Sequence, residues 1–309
     1  MEVFFGILAI ALAVSACTSS SDLHEPQSAP GLSPRPPSPT FARNPAGVLD
    51  HVVIIVEENK PAVSILGNAD APYLNTLAAE SAVAANYTAV TRPSLPNYLA
   101  MTSGTTAGIT DDCNPPGQNC QAPVRNITGE IDASGRTWKM YAEGMPTPCA
   151  NSNSGKYAVK HNPFLYYPSV TKDAAYCAAH VVPFTQLNRD LASASGLPDY
   201  TFISPDLCND MHDCAVRTGD AWLSHVVPTI LASAAFTDRN SLLVITWDEG
   251  SHSDNRVSTI FAGPAAKPGY RSEVAYNHYS LLHTIEQAWG LAPLTHHDSG
   301  APTMTDLLR

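Results

Sequence analysis

His51-Val52-Val53-Ile54-Ile55-Val56-Glu57-Glu58-Asn59 is the stretch on which the reading of the fold turns. Its unbroken run of β-branched residues leaves no polar face. It therefore reads as a strand buried on both sides, as the strands of parallel sheets are. The acids and amide that close it stand at the strand's carboxyl end, where open α/β sheets bind ligands. The pattern recurs twice. Ser241–Trp247 contains Leu242-Leu243-Val244-Ile245 and runs into Asp248-Glu249, and Tyr200–Ile203 runs into Ser204-Pro205-Asp206. Val257–Phe261 is a further expected strand. Leu74, Leu77 and Ala78 at helical spacing predict a helix over Pro72–Ala85, and Thr218–Ala235 reads as another, kinked or restarted near Pro228. The last expected helix is Tyr279–Trp289, with Leu281, Ile285 and Ala288 on one face and Gly290 as its stop. Strand–helix alternation predicts an α/β domain with a largely parallel central sheet covered on both sides.

With 309 residues there is ample apolar content for one large core. The net charge of -11 argues against binding nucleic acid or anionic headgroups by bulk electrostatics. An anionic substrate would be repelled at long range, so a site for one must carry its own positive charge. Phe4–Ala13 is an apolar run too short to span a bilayer, and it ends in Val14-Ser15-Ala16-Cys17, which resembles a bacterial lipobox with Cys17 as the lipidated residue. Residues 1–17 are thus read as a lipoprotein-type export signal that anchors the chain to the outer face of the cell membrane, the alternative being an ordinary signal peptide and a secreted chain. The departure from that pattern is a start that carries Glu2 and no Lys or Arg. Residues 18–47, rich in Ser and Pro, read as a disordered tether, and residues 48–309 as the folded domain.

Setting Cys17 aside leaves Cys113, Cys120, Cys149, Cys177, Cys208 and Cys214. An even set in an exported chain suggests three disulfides. Pairing of nearest neighbours, Cys113–Cys120, Cys149–Cys177 and Cys208–Cys214, closes short loops and is the preferred connectivity. A zinc site would want CxxC spacing, which is absent.

Seven segments then occur in a fixed order: His51–Asn59, Pro93-Ser94-Leu95-Pro96-Asn97-Tyr98, Lys156–Pro163, Asn209–Asp213, Gly219–Leu223, Thr246–Glu249 and Asn277–Ser280. Together they resemble the bacterial phosphoesterase family of acid phosphatases and non-haemolytic phospholipases C, most of all its short secreted mycobacterial-type acid phosphatases. The resemblance implies an alkaline-phosphatase-like three-layer α/β sandwich and a reaction through a phosphorylated enzyme. It implies that Glu58, Asn59, Asp248 and Glu249 bind a divalent metal, and that Ser94 is the nucleophile and a further ligand of that metal.

The residue types suit that chemistry. A serine hydroxyl needs a base or a metal to become nucleophilic. Ser94 stands just before an expected helix, Asn97–Met101, with Pro96 near its first position, so free N–H groups would face an alkoxide or a phosphate. The oxygen ligands suit Mg²⁺, Ca²⁺ or Mn²⁺ at least as well as Zn²⁺, and one ion is expected rather than two. His161, His212 and His278, with Asp206 and Asp210, have two competing roles. They bind phosphoryl oxygens and protonate the leaving group, or Asp206, His212 and His278 complete a second metal site. Protonated histidines would also supply the missing cation and favour activity below neutral pH. Glu57 reads as a bystander, His51 as structural and His296-His297 as surface loop, with His252 and Asp254 as outlying site candidates. The loops Thr105–Gly129 and Met145–Ser154 carry no readable code.

Rival functions fit less well. A sulfatase would need Arg two residues after Pro96, where Tyr98 stands, and no Gly-x-Ser-x-Gly elbow marks a serine esterase. Phospholipase C relatives are longer. An inactive binding lipoprotein would not need the Ser94, Glu58, Asn59 and Asp248 set. The expected enzyme is a monomeric phosphomonoesterase acting on a small phosphorylated substrate.

Overall fold

The computed structural model describes residue 1 and residues 48–117, 120–251 and 253–309. Cys17, the tether and His252 lie outside the described residues. In chain order the strands are β1 Val52–Glu57, β2 Ala82–Ala84, β3 Tyr87–Thr88, β4 Trp138–Ala142 and β5 Val181–Pro183. They continue with β6 Tyr200–Ser204, β7 Leu242–Trp247, β8 Thr259–Ala262, β9 Arg271–Ser272 and β10 Tyr276–Asn277. Eight of them form one sheet in the order β5-β4-β6-β1-β7-β8-β2-β9. It is parallel except where β8 runs against β7 and β2. The fold is thus the α/β architecture expected, with a large, mostly parallel central sheet. All six residues of β1 are buried, as are all those of β6 and β7 on either side. Helix Pro72–Glu80 packs against Val216–Leu231, and helix Ser94–Ser103 packs against His278–Trp289.

Three expected elements are corrected. The helix from Pro72 stops at Glu80, Ser81 is extended, and Ala82-Val83-Ala84 becomes β2 between β8 and β9. Three small apolar residues satisfy either periodicity, and the open positions beside β8 decide for a strand. The helix Val216–Leu231 continues through Pro228, and a separate turn of helix, Ala234–Thr237, follows it. The expected strand at Val257 begins instead at Thr259. Gly290 does end the last helix, in the left-handed conformation at φ 66°. The three disulfides are those preferred from the sequence, with Cα–Cα separations of 5.7, 5.6 and 4.7 Å. Among the described residues no helix is long and apolar enough to cross a membrane.

Candidate active site

Because β6, β1 and β7 are neighbours in parallel register, their carboxyl ends open side by side. The turns beyond them are stitched together. The Glu58 N–H donates to the Asp210 carbonyl at 2.8 Å, and the Asn59 N–H donates to Asp248 Oδ1 at 3.1 Å. Asn59 turns there at φ 51°, a left-handed conformation that Asn tolerates better than most residues. Lys60 Nζ donates to the Met211 carbonyl at 2.6 Å.

Ser94 enters this cluster from a helix that begins earlier than its sequence suggests. The helix is Ser94–Ser103, not Asn97–Met101, so Ser94 itself is the first helical residue. Pro96 sits in the first turn, where a missing N–H costs nothing. Asn97, fully buried, shapes the approach: its Oδ1 accepts from the Val90 and Thr91 N–H groups, each at 3.0 Å, and its Nδ2 donates to the Thr91 and Pro93 carbonyls. One turn on, the Tyr98 hydroxyl donates to Glu58 Oε1. Ser94 Oγ donates to Glu58 Oε2 at 3.0 Å. The serine is 1 % exposed, and Glu58 is fully buried.

His161 closes the other side. It ends the short turn Val159–His161, and the Ser204 hydroxyl donates to its carbonyl at 2.7 Å. Its Nδ1 lies 3.2 Å from Asp210 Oδ2, and its Nε2 lies 3.4 Å from Glu58 Oε2. Burial, and then the nearby Lys160 ammonium, lower its pKa to about 3, so the imidazole is neutral. That overturns the expectation that a protonated His161 supplies positive charge. A neutral imidazole keeps a lone pair on one ring nitrogen, free to meet a cation among these carboxylates.

The carboxylates are crowded. Burial foremost raises Glu58 and Asp248 above the usual range, with Asp248 and Asp210 adding to the effect on Glu58. Burial raises Asp210 to about 7, and burial with Asp248 raises Glu249 to about 8. Asp248 Oδ2, Asp210 Oδ2 and His161 Nε2 are buried without a hydrogen-bond partner. Buried acids beside an imidazole lone pair are costly unless a cation neutralises them. Glu58, His161 and His212 each bring a donor atom within 4.8 Å of the others. The donor set, oxygens with imidazole nitrogen, fits a divalent metal ion.

Other expected residues are placed differently. His278 is fully buried with both nitrogens engaged: Nε2 lies 2.6 Å from the Asp248 carbonyl, and Nδ1 lies 3.1 Å from the Tyr87 hydroxyl. Burial lowers its pKa to about 4, so it holds the Asp248 turn as a neutral ring. Asp206 Oδ1 accepts from the Cys208 and Asn209 N–H groups and shapes that loop. The set Asp206, His212 and His278 is therefore not assembled as a second metal site. His212 is half-buried, with Nδ1 2.6 Å from Asp213 Oδ1. Its ring centroid lies 5.8 Å from that of His161. Glu249 Oε2 lies 3.6 Å from Arg92 Nε, away from the tight donor cluster. Glu57 points to no partner: both oxygens are buried and unbonded, and burial raises its pKa well above the usual range. His51 is buried beside the Pro198 carbonyl, His296 and His297 are exposed on a short helix rather than a loop, and Asp254 is exposed.

Sequence reading passed over four residues near the nucleophile. Tyr98 and Lys160 were inside recognised segments without a role, Arg92 stands just before Pro93, and Asp112 lies in the loop judged unreadable. Asp112 Oδ1 accepts from the Leu95 N–H at 3.1 Å, and Oδ2 pairs with Lys160 Nζ at 2.8 Å. Burial alone would lower the Lys160 ammonium, but Asp112 outweighs it and the pKa is raised. Lys160 is thus a fixed cation beside the cluster. No periodicity signals such long-range partners; a lysine next to a site histidine was the one available hint.

Residues 61–292 match the model of the family described as "Phosphoesterase family". The chain is 39 % identical over 274 residues to the phosphatidylinositol-3-phosphatase of Mycobacterium tuberculosis, covering 87 % of this chain and 83 % of that protein. It is 33 % identical to the phosphate-repressible acid phosphatase of Penicillium chrysogenum over 74 % of this chain, but spans only 57 % of that longer protein. A solved structure of an alkaline phosphatase superfamily protein from Vibrio parahaemolyticus overlays with a TM-score of 0.61. It covers 83 % of this chain and 71 % of its own at 13 % identity, a likeness of fold alone.

Proposed function

The chain belongs to the Phosphoesterase family and is a phosphoric ester hydrolase; from that premise we propose that it is an exported, metal-dependent acid phosphatase that cleaves phosphate monoesters through a phosphoserine at Ser94. The observation that carries the reading is the Ser94 hydroxyl, first in its helix and 3.0 Å from Glu58, beside Asp210 and Asp248, each of which buries one oxygen without a hydrogen-bond partner.

Glu58, Asn59, Asp248 and His161 would hold one divalent ion, with Glu249 at the margin. When bound, such an ion lowers the hydroxyl's pKa and offsets charge on phosphoryl oxygens. Ser94 Oγ attacks phosphorus, the Oγ–P bond forms and the ester P–O bond breaks. Glu58 Oε2 is the acceptor already in place for the hydroxyl proton. His212, backed by Asp213, gives a proton to the departing alcohol oxygen and takes one from the water that later splits the phosphoserine. Helix N–H groups and Lys160 supply the positive field that the acidic surface lacks.

A monoester substrate is favoured over a phospholipase C-type diester because the relatives carry phosphatase names. The lipobox-like segment at Cys17 and the three disulfides support export and an anchored domain. The test is hydrolysis of p-nitrophenyl phosphate and p-nitrophenyl phosphorylcholine, with and without chelator, by the wild type and Ser94→Ala. A loss beyond about a thousandfold in the variant, on the monoester, is expected. Undiminished turnover by Ser94→Ala, or preference for the diester, would overturn it.

A further inference from the structure

The N-terminal end of the Ser94 helix and the nearest ammonium group both point at one carboxylate. Asp112 Oδ1 takes the Leu95 N–H, one residue beyond the nucleophile, and Oδ2 takes Lys160 Nζ. A phosphoryl group attacked by Ser94 would seek these same donors, because its non-bridging oxygens need an N–H at the helix end and a cation. Independent of that contact, Asp248 Oδ2 and His161 Nε2, on buried side chains of the Ser94 cluster, have no hydrogen-bond partner. Unmatched buried polar atoms of this kind mark the cluster as built to receive a ligand. Asp112 is half-exposed in a loop whose Cys113 is tied to Cys120, so it is tethered yet lies at the rim.

Resting on the phosphatase reading, we propose that Asp112 is an intramolecular competitor for the phosphoryl seat: its carboxylate holds the Leu95 N–H and Lys160 until a phosphate ester displaces it. This makes Asp112 a specificity-determining residue. A dianionic phosphoryl group has the charge to evict a single carboxylate from these donors, whereas a monoanionic diester or a carboxylate ligand has no such advantage. An occupied seat also weakens product binding. If Asp112 fills it nine-tenths of the time, the apparent dissociation constant of phosphate is raised about tenfold.

The test is calorimetric titration of the full-length protein with inorganic phosphate, alongside KM and kcat for p-nitrophenyl phosphate. Asp112→Asn and Asp112→Ser should bind phosphate about tenfold more tightly and lower KM by a similar factor, without raising kcat. Asp112→Glu, which keeps the charge, should stay near the wild type. Lys160→Met should weaken phosphate binding in the wild-type and Asp112→Asn backgrounds alike. Unchanged or weaker phosphate binding in both neutral variants would show that Asp112 only steadies Lys160, and would overturn the proposal. The binding arm needs no turnover. Tighter phosphate binding in a chain that hydrolyses no ester would refute the phosphatase reading alone, and hydrolysis with no gain in binding would refute this one alone.

Discussion

Replacing Glu286 by Gln should flatten the pH dependence of the fold. Glu286 lies in the last long helix and is fully buried, as is Asp298 beside it. Burial foremost, and then the Asp298 carboxylate, raise its pKa to about 9. In the unfolded chain a glutamate titrates near about 4.3. Between those values the native state binds the extra proton, so stability is full below the lower pKa and falls as pH rises toward the upper one. One proton gives a slope of about 1.4 kcal/mol per pH unit, a ceiling of about 4 kcal/mol between pH 5 and 8. The pair matters for the site because Asp298 organises Leu294 and Thr295, and Thr295 Oγ1 donates to the Gly104 carbonyl at 2.8 Å. Gly104 ends the Ser94 helix at φ 69°, and a Cβ there would come within 2.6 Å of Asp298 Oδ1. Glu286→Gln keeps a donor toward Asp298 without a titrating proton. Urea unfolding followed by tryptophan fluorescence should find the variant within about 0.5 kcal/mol of the wild type near pH 5. Near pH 8 it should be about 1–4 kcal/mol more stable. Parallel pH profiles for the two proteins would refute the reasoning.

Other outcomes follow from the same geometry. Chelator should abolish phosphatase activity, and adding back a divalent ion to chelated protein should raise Tm in a differential scanning experiment, because buried acids lose their mutual repulsion; Tm indifferent to every ion would contradict the metal reading. Tyr98→Phe removes the donor on Glu58 Oε1 and should lower kcat about tenfold with KM little changed, measured on p-nitrophenyl phosphate. Asp220→Ala should cost about 1–3 kcal/mol in denaturant melts, because Asp220 accepts from the Tyr73 and Leu74 N–H groups and caps the helix Pro72–Glu80 from across the chain. Its activity per folded molecule should stay at the wild-type level.

The central strands were legible because burial on both faces writes itself as continuous apolar sequence. β1, β6 and β7 are short, and each has an acid within two residues of its end, which places acids at one sheet end without any knowledge of tertiary contacts. β2 was not legible, since Ala82-Val83-Ala84 has no periodicity of its own and takes its form from β8 and β9. The start of the Ser94 helix was missed for a related reason: Pro93 and Pro96 flank it, and only the loop built by Asn97 shows which proline precedes the first turn. Within the site, residue types named Glu58, Ser94, Asp248 and His161 as candidates, and these do converge. What each one touches was hidden. His278 looks like a ligand in sequence, yet its ring is spent on Tyr87 and the Asp248 carbonyl. Asp112 looks like loop, yet it reaches both the helix end and Lys160. Such partners are fixed by chain crossings far apart in sequence, which no local pattern records.

The role of Ser94 is tested most directly by trapping its phosphoryl group. The wild type is mixed with ³²P-labelled phosphate ester, quenched in acid within milliseconds and digested for peptide mapping. Acid-stable label on the peptide bearing Ser94, approaching one group per molecule and absent from Ser94→Ala, is the predicted result. Acid-labile label that survives a parallel alkaline quench and maps to a histidine instead, or full turnover with no trapped label in either protein, would contradict the account.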